Sequence, residues 1–393
     1  MSRDESRGFT LLEVMIASAL GVVVLGIGLV AGMQMQRRAV FEEQTMVAQV
    51  TGRAVKELLA GDVTRAGLGM GNAPITFSEG DNRFAIQVWD EPDMQVALAP
   101  VFTADPTFRL PPAGTPYADM RSDVLQLYWG DPRSLVVMAP CGGGSGPIRE
   151  GNSSTFCTGD NPPTNLQPPA GQRTPAILVN PTGNVACHIQ VTQVQQAADR
   201  INANPGNNNN AINTGPCSDQ TSDIWKSDGW LVMRTVGAAY RVNWAGNIPT
   251  LEYLAPGTAT WVAVSRDVEQ MKIRQAVIDL AAPNAAYRWF PDAAAARPTI
   301  EACTLAAGAL CQADSGPPGN APASDTELRS LLRQRVRAVE ISLVIRTRRS
   351  DQNLVKPNET EENFPLDGFK RRTFTFQVAP RNFVSAGLLP AGM

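Results

Sequence analysis

From Phe9 to Met33 the chain carries a single charged side chain, Glu13, in an otherwise apolar run. About 20 apolar residues suffice to cross a bilayer as a helix, so this run fixes the first element before anything else is considered. A carboxylate inside a bilayer costs roughly 2.5 to 3.5 kcal/mol at the centre of a helix and persists only where something neutralises it. No basic residue lies between Phe9 and Gln36, so a counter-charge is expected from outside the apolar run. A cut between Gly8 and Phe9 would make one. The new α-ammonium group would stand at the edge of the run, within reach of Glu13 on a neighbour in a bundle of identical helices.

Two plainer explanations compete. A secretory signal has an apolar core of about 7 to 15 residues that ends in a small-x-small cleavage site, and this run is longer. A simple transmembrane anchor fits the length but gives no reason for a glutamate near one end. The segment Gly8-Phe9-Thr10-Leu11-Leu12-Glu13 resembles the class III signal of type IV prepilins. The resemblance implies a leader at residues 1–8 with Gly8 as its last residue, cleavage by a prepilin peptidase, and N-methylation of Phe9 as the mature first residue. Glu13 becomes the fifth mature residue, which sets the register of assembly.

Arg3 and Arg7 precede the span, while Arg37, Arg38 and Arg53 follow it, so the positive-inside rule alone does not orient it. The six cysteines, Cys141, Cys157, Cys187, Cys217, Cys303 and Cys311, all follow the span, and an even number suits an oxidising compartment. The head is therefore expected in the periplasm or outside the cell, and the prepilin resemblance implies a single pass through the inner membrane followed by incorporation into an extracellular pilus, expected to be tip-proximal.

Composition excludes more than it assigns. The net charge of −3 and pI near 5.5 give no basic surface for nucleic acid. A basic series near the C-terminus, Arg329, Arg333, Arg335, Arg337, Arg346, Arg348, Arg349, Lys370, Arg371 and Arg372, is expected on solvated strand faces, with an anionic partner site as the alternative. His188 is the only histidine, which leaves no material for a histidine-based triad or a multi-histidine metal site, and no phosphate-binding loop is present. Asp90 with Glu91, and Glu361 with Glu362, look like surface charge. No enzyme activity, cofactor or metal is expected. The Asn207 to Asn210 run lacks the acidic residues of a calcium loop.

Beyond the span, Val40, Val47, Val50, Ala54 and Leu58 recur at helical spacing with Arg53, Lys56 and Glu57 opposite, which predicts that the helix continues with this stripe buried. Gly67, Gly69 and Gly71 should stop it near Ala66. Gly28 and Gly32 have the GxxxG spacing that lets membrane helices approach closely. After the helix, alternation predicts strands at 122–129, 176–180, 188–194, 230–236, 239–244, 250–254, 339–345 and 374–378, with a hairpin loop at Ala245-Gly246-Asn247. Segments 141–171, 202–222, 281–324 and 350–368 lack periodicity and are expected as long loops. Sequence-neighbour pairing of the cysteines, 141 with 157, 187 with 217 and 303 with 311, would staple three of them; it is one of fifteen connectivities.

The head resembles the PilW family of minor pilins in several segments: Lys56 to Gly67 at the end of the helix, Ser122-Asp123-Val124-Leu125 as a first head strand, Val264 to Ile273, Val336 to Arg346, and Arg372 to Asn382. At Gln275-Ala276 the chain departs from the aromatic-glycine pair of that family. Major pilins often have a proline deep in the apolar segment, and this chain has none. The resemblance implies an α+β fold in which a long N-terminal helix packs on a mainly antiparallel sheet: leader 1–8, membrane and filament-core helix 9–33, amphipathic continuation 34–66, and a β-rich head 67–393. It implies a low-abundance subunit that joins other minor pilins and the major pilin, primes assembly and sits near the tip with an adhesin. The alternatives are a J-type pseudopilin of a type II secretion system and a tip adhesive module that binds a surface ligand through its loops.

Overall fold

The computed structural model describes residues 10–78, 81–142, 146–148, 155–159, 164–181, 184–203, 217, 225, 229–255, 258, 260–282, 284, 286–315, 321–351 and 355–383. One helix, Leu11–Arg65, dominates its outline. At 1.5 Å per residue its 55 residues extend about 83 Å. From Leu11 to Met35 every large apolar side chain is more than half exposed, so this half has no packing partner among the described residues. The second half is seated on the head. It ends where expected: the Ala66 N–H donates to the carbonyls of Asp62 and Val63, and Gly67 follows at φ 73°, a conformation that costs glycine little.

The buried stripe is a different one from that predicted. Ala48, Val55, Leu59, Val63 and Ala66 are buried, whereas Val40, Val47, Val50, Ala54 and Leu58 are exposed. Bulk misled the expectation. Two apolar stripes lie side by side on this helix, and the head takes the one with small residues at its start. Gly52 is buried beneath the Phe374 ring, which a Cβ at that position would overlap. Close approach, rather than apolarity alone, therefore sets the rotation of the helix.

The helix packs on a four-stranded antiparallel sheet in the order Tyr287–Phe290, Val268–Ile278, Val336–Arg346, Arg371–Val378. Alternation in the sequence works here because one face is covered: Val339, Ile341, Leu343 and Ile345 are buried and join the helix in the main core. Arg371–Val378 is an edge strand, paired to Ile345 and Arg346 at its start.

A second, twelve-stranded sheet is organised around Leu231–Asn243. Its N-terminal half pairs with Thr174–Asn180 and its C-terminal half with Val124–Gly130 and Thr250–Leu254. The predicted strands 230–236 and 239–244 are thus one element: Gly237 and Ala238, read as a break, are simply in register with Tyr128 and Leu127. Among the described residues all the strand pairs are antiparallel except Ile75–Ser78 with Val185–Gln195. Three short strands, Ile75–Ser78, Asp81–Arg83 and Ile86–Trp89, precede Val124–Gly130, so the segment at Ser122 does not open the first head strand.

A separate core of Phe156, Leu178, Ile189, Ile201, Trp225, Trp230 and their neighbours fills the distal lobe. Disulfides join Cys141 to Cys157, Cys187 to Cys217 and Cys303 to Cys311. The first two belong to this distal lobe. The segments expected as loops hold short elements, among them Thr155–Cys157, Tyr287–Phe290 and the hairpin Val355–Glu361 with Phe364–Asp367. A short helix, Asp325–Gln334, carries Arg329 and Arg333 and buries Leu328 and Leu332. These elements are too brief for periodicity to reveal.

Candidate functional site

The site with the clearest chemistry is the start of the long helix. Thr10 is its N-cap in extended conformation. The Glu13 N–H donates to Thr10 Oγ1 at 3.3 Å, the Thr10 N–H donates to Glu13 Oε2 at 3.0 Å, and Thr10 Oγ1 donates to the same oxygen at 3.1 Å. This is a capping box. It places the carboxylate against the positive end of the helix dipole as well as against two donors. The helix's own first turn supplies hydrogen bonds to one carboxylate oxygen of Glu13 but no counter-charge. The sequence contained the signal, since Thr10-Leu11-Leu12-Glu13 is a T-x-x-E pattern, but the pattern was hidden inside the longer motif.

Glu13 is exposed, as are Gly28 and Gly32, where an added Cβ would meet nothing within 4 Å. The helix thus presents an acid near its tip and a glycine pair on an unoccupied flank. Gly8 and Phe9 lie outside the described residues, as do Asn207 to Asn210.

The other end of the helix is locked to the head by polar contacts. Asp62 Oδ2 accepts from Tyr240 Oη at 2.6 Å. Burial and the neighbouring Asp62 carboxylate both push the Tyr240 phenol up. The Gly67 N–H donates to Tyr128 O and the Gly130 N–H to Leu68 O, each at 2.9 Å, so the glycine turn is stitched to strand Val124–Gly130.

Midway, the two sheets are clamped by Asp123. Its N–H donates to Met271 O at 2.8 Å, and its Oδ2 accepts from the Ile273 N–H at 2.7 Å. Lys272 lies 3.4 Å from Asp123 and also pairs with Glu91. Burial outweighs these contacts and pushes the Asp123 carboxyl up to about 6.

At the membrane-proximal end of the four-stranded sheet, Arg371 grips fully buried Glu269 at 2.6 and 3.0 Å and Asp367 at 2.7 and 2.8 Å. Tyr117 Oη donates to Asp367 at 2.9 Å. Burial pushes the Glu269 carboxyl up against the pull of Arg371, whereas for Asp367 the hydrogen bonds and charge of Arg371 outweigh burial and hold it low. Arg346 stands 3.6 Å from Glu269. Arg337, Arg346 and Arg371, expected on solvated faces, are therefore buried or nearly so. Arg337 and Arg346 lie on a strand paired on both sides, whereas Arg371, on the edge strand, is enclosed by Glu269, Asp367 and the Pro365 carbonyl.

His188 is buried and stacks on Phe77 with 4.2 Å between ring centroids. Among the described residues no group of three histidine, cysteine or acidic side chains could hold a metal ion.

A family model described as the prokaryotic N-terminal methylation motif matches residues 3–29. That motif supports a type IV pilin-like or pseudopilin protein. Proteins with this motif are processed by a prepilin peptidase and assemble with other pilins, and the apolar helix fits anchoring in the inner membrane before incorporation. No curated protein and no solved structure matches the chain.

Proposed function

We propose that this chain is a minor pilin of a type IV pilus, a structural subunit without catalytic chemistry that primes assembly and sits near the fibre tip. The observation that carries this reading is the division of the long helix: its first half has no packing partner among the described residues and begins with a capped, exposed glutamate, while its second half is fixed to the head. A helix built this way is half of an interface. Lipid covers it first, and neighbouring helices would cover it afterwards, so its apolar surface never meets water.

In that bundle the capping box has a specific job. Thr10 holds Glu13 at the first turn, with one oxygen engaged and the side chain exposed, ready for the ammonium group of Phe9 on the next subunit. A subunit in the wrong register would leave a charge unpaired in an apolar setting, a penalty of the kind that specifies register elsewhere. Gly28 and Gly32 would let a neighbour approach along the same flank. The head of several cores, with its disulfide-bearing lobe, is bulky for a repeating shaft unit, which supports a place at the tip and the likeness to the PilW family.

N-terminal sequencing of the protein from piliated cells should return a methylated phenylalanine, Phe9, as the first residue. Retention of Met1 in cells that still make pili would overturn the proposal. A deletion strain separates the two assembly systems: loss of twitching with exoprotein secretion intact supports the pilus, and the reverse pattern assigns the chain to a type II secretion system as a J-type pseudopilin.

A further inference from the structure

The helix and the four-stranded sheet are matched end to end. At the far end, an added Cβ at Gly67 would overlap the Phe383 ring; midway, Gly52 lies under Phe374; and nearest the apolar half, Lys370 Nζ sits 3.9 Å from the centre of the Phe41 ring. The sheet end that faces the membrane is therefore the one where Val336–Arg346 finishes and Arg371–Val378 begins. Cations that are scattered in the sequence collect there. Arg346 and Arg371 are taken up by Asp267, Glu269 and Asp367. The outer ones stay at the surface: Arg38, Arg348, Arg349, Lys370 and Arg372 are all exposed, and Arg348, 3.3 Å from Asp267, keeps two-thirds of its side-chain surface in solvent.

These side chains border clefts on both sides of the helix. One, of about 250 Å³, is lined by Val40, Glu43, Val47, Arg348 and Arg349. The other, of about 880 Å³, lies between Thr45 and Ala48 of the helix and Lys370 and Arg372 of the sheet. Glu42 and Glu43 of the helix and Glu361 and Glu362 of the hairpin that lines the larger cleft are the exposed acids at this level. Lys356 is paired with Glu359, so the five exposed cations leave a small positive excess, concentrated at Arg348 and Arg349. Phe41 follows Met33 by eight residues, a rise of about 12 Å, and the headgroup layer occupies roughly 5 to 7 Å on each side of the hydrocarbon. Long basic side chains reach back toward the interface, and the remaining gap is comparable to the Debye length of about 8 Å at physiological ionic strength.

We propose that this basic collar binds the phosphate headgroups of anionic phospholipids in the leaflet on the head's side, and so holds the head in a defined rotation over the membrane until the subunit is extracted. Charge complementarity and continuity with the apolar helix select lipid as the occupant. The collar also accounts for cations that follow the span, where a rule based on loop charge alone reads them as an orientation conflict. The proposal rests on the membrane-anchored reading above.

The test uses the full chain in nanodiscs of phosphatidylcholine alone or mixed with phosphatidylglycerol, with amide hydrogen exchange read at residues 346–349 and 370–373. The expected result is exchange slowed on the order of fivefold or more by phosphatidylglycerol, reversed by high salt and lost in the Arg348→Gln/Arg349→Gln/Lys370→Gln/Arg372→Gln variant. Equal exchange of the wild-type chain in the two lipids would overturn the collar. A chain that enters neither nanodisc would sink the anchored reading itself and the collar with it, a failure seen in the insertion step before any exchange is measured.

Discussion

Glu13 and Asp123 are both carboxylates in apolar surroundings, and the chain treats them differently. Glu13 is capped by Thr10 yet left exposed, whereas Asp123 is buried where two sheets meet and bonded to Ile273. Glu13→Gln keeps an oxygen for the Thr10 donors but removes the charge. The variant should therefore insert in the membrane normally while its recovery in sheared pili falls, as read by immunoblot; undiminished recovery would show that the cap alone matters. For Asp123 the prediction concerns pH. Its carboxyl is pushed above the ordinary value of 3.8 to about 6, so the folded state holds this proton more tightly than the unfolded state. The associated stability is full below about pH 4 and is lost as pH rises toward 6, on the order of 3 kcal/mol at most. Asp123→Asn retains an acceptor for Ile273 and does not titrate. Urea unfolding at pH 4 and pH 6.5 should show the variant gaining on the wild type at the higher pH, while a constant difference would contradict the burial argument.

At the scale of the element, the long helix shows why hydrophobic period is an incomplete guide. Leu58 and Leu59 are neighbours of the same type, yet Leu58 is 39% exposed and Leu59 is fully buried. Leu59→Ala should cost about 2 to 5 kcal/mol through the cavity it leaves, and Leu58→Ala no more than about 0.5 kcal/mol, as a surface change; denaturant melts of the two variants would expose any error in the assigned face. The stop at Ala66 and the alternation of 339–345 were legible in the sequence because each is a local pattern: a glycine cluster in one case, a strand with one covered face in the other. The seat of the helix was not, because it depends on Gly52 meeting Phe374 from the far end of the chain. The short helix Asp325–Gln334 escaped notice although Ser324 caps it by accepting from the Glu327 N–H, since two buried leucines make a faint period.

For the whole molecule, the two largest of its four buried clusters predict two kinds of response. The core nearest the helix is a continuous apolar cluster that joins helix, four-stranded sheet and the C-terminal half of Leu231–Asn243. The distal core is smaller and carries two of the three disulfides. Loop-closure entropy gives about 3.6 kcal/mol for the Cys187 to Cys217 bridge, separated by 30 residues, against about 2.5 kcal/mol for Cys303 to Cys311, separated by 8. Replacing Cys187 and Cys217 by serine should therefore loosen the distal lobe more than the equivalent change at 303 and 311, and limited proteolysis should cut first within 141–230. Earlier cleavage near the long helix would show that the lobes are not independent in this way.

The sequence alone determined the membrane-length helix, the position of its acid, its stop before the glycines and the mainly antiparallel head, because each follows from residues close together in the chain and from chemistry that does not depend on what lies opposite. Only the tertiary structure decided which stripe of the helix is covered, which arginines are consumed by buried carboxylates and which remain at the surface as a collar, and that one strand runs through both cores. Those outcomes compare the fit of one surface with another, and steric contact and desolvation have no value until the two surfaces meet.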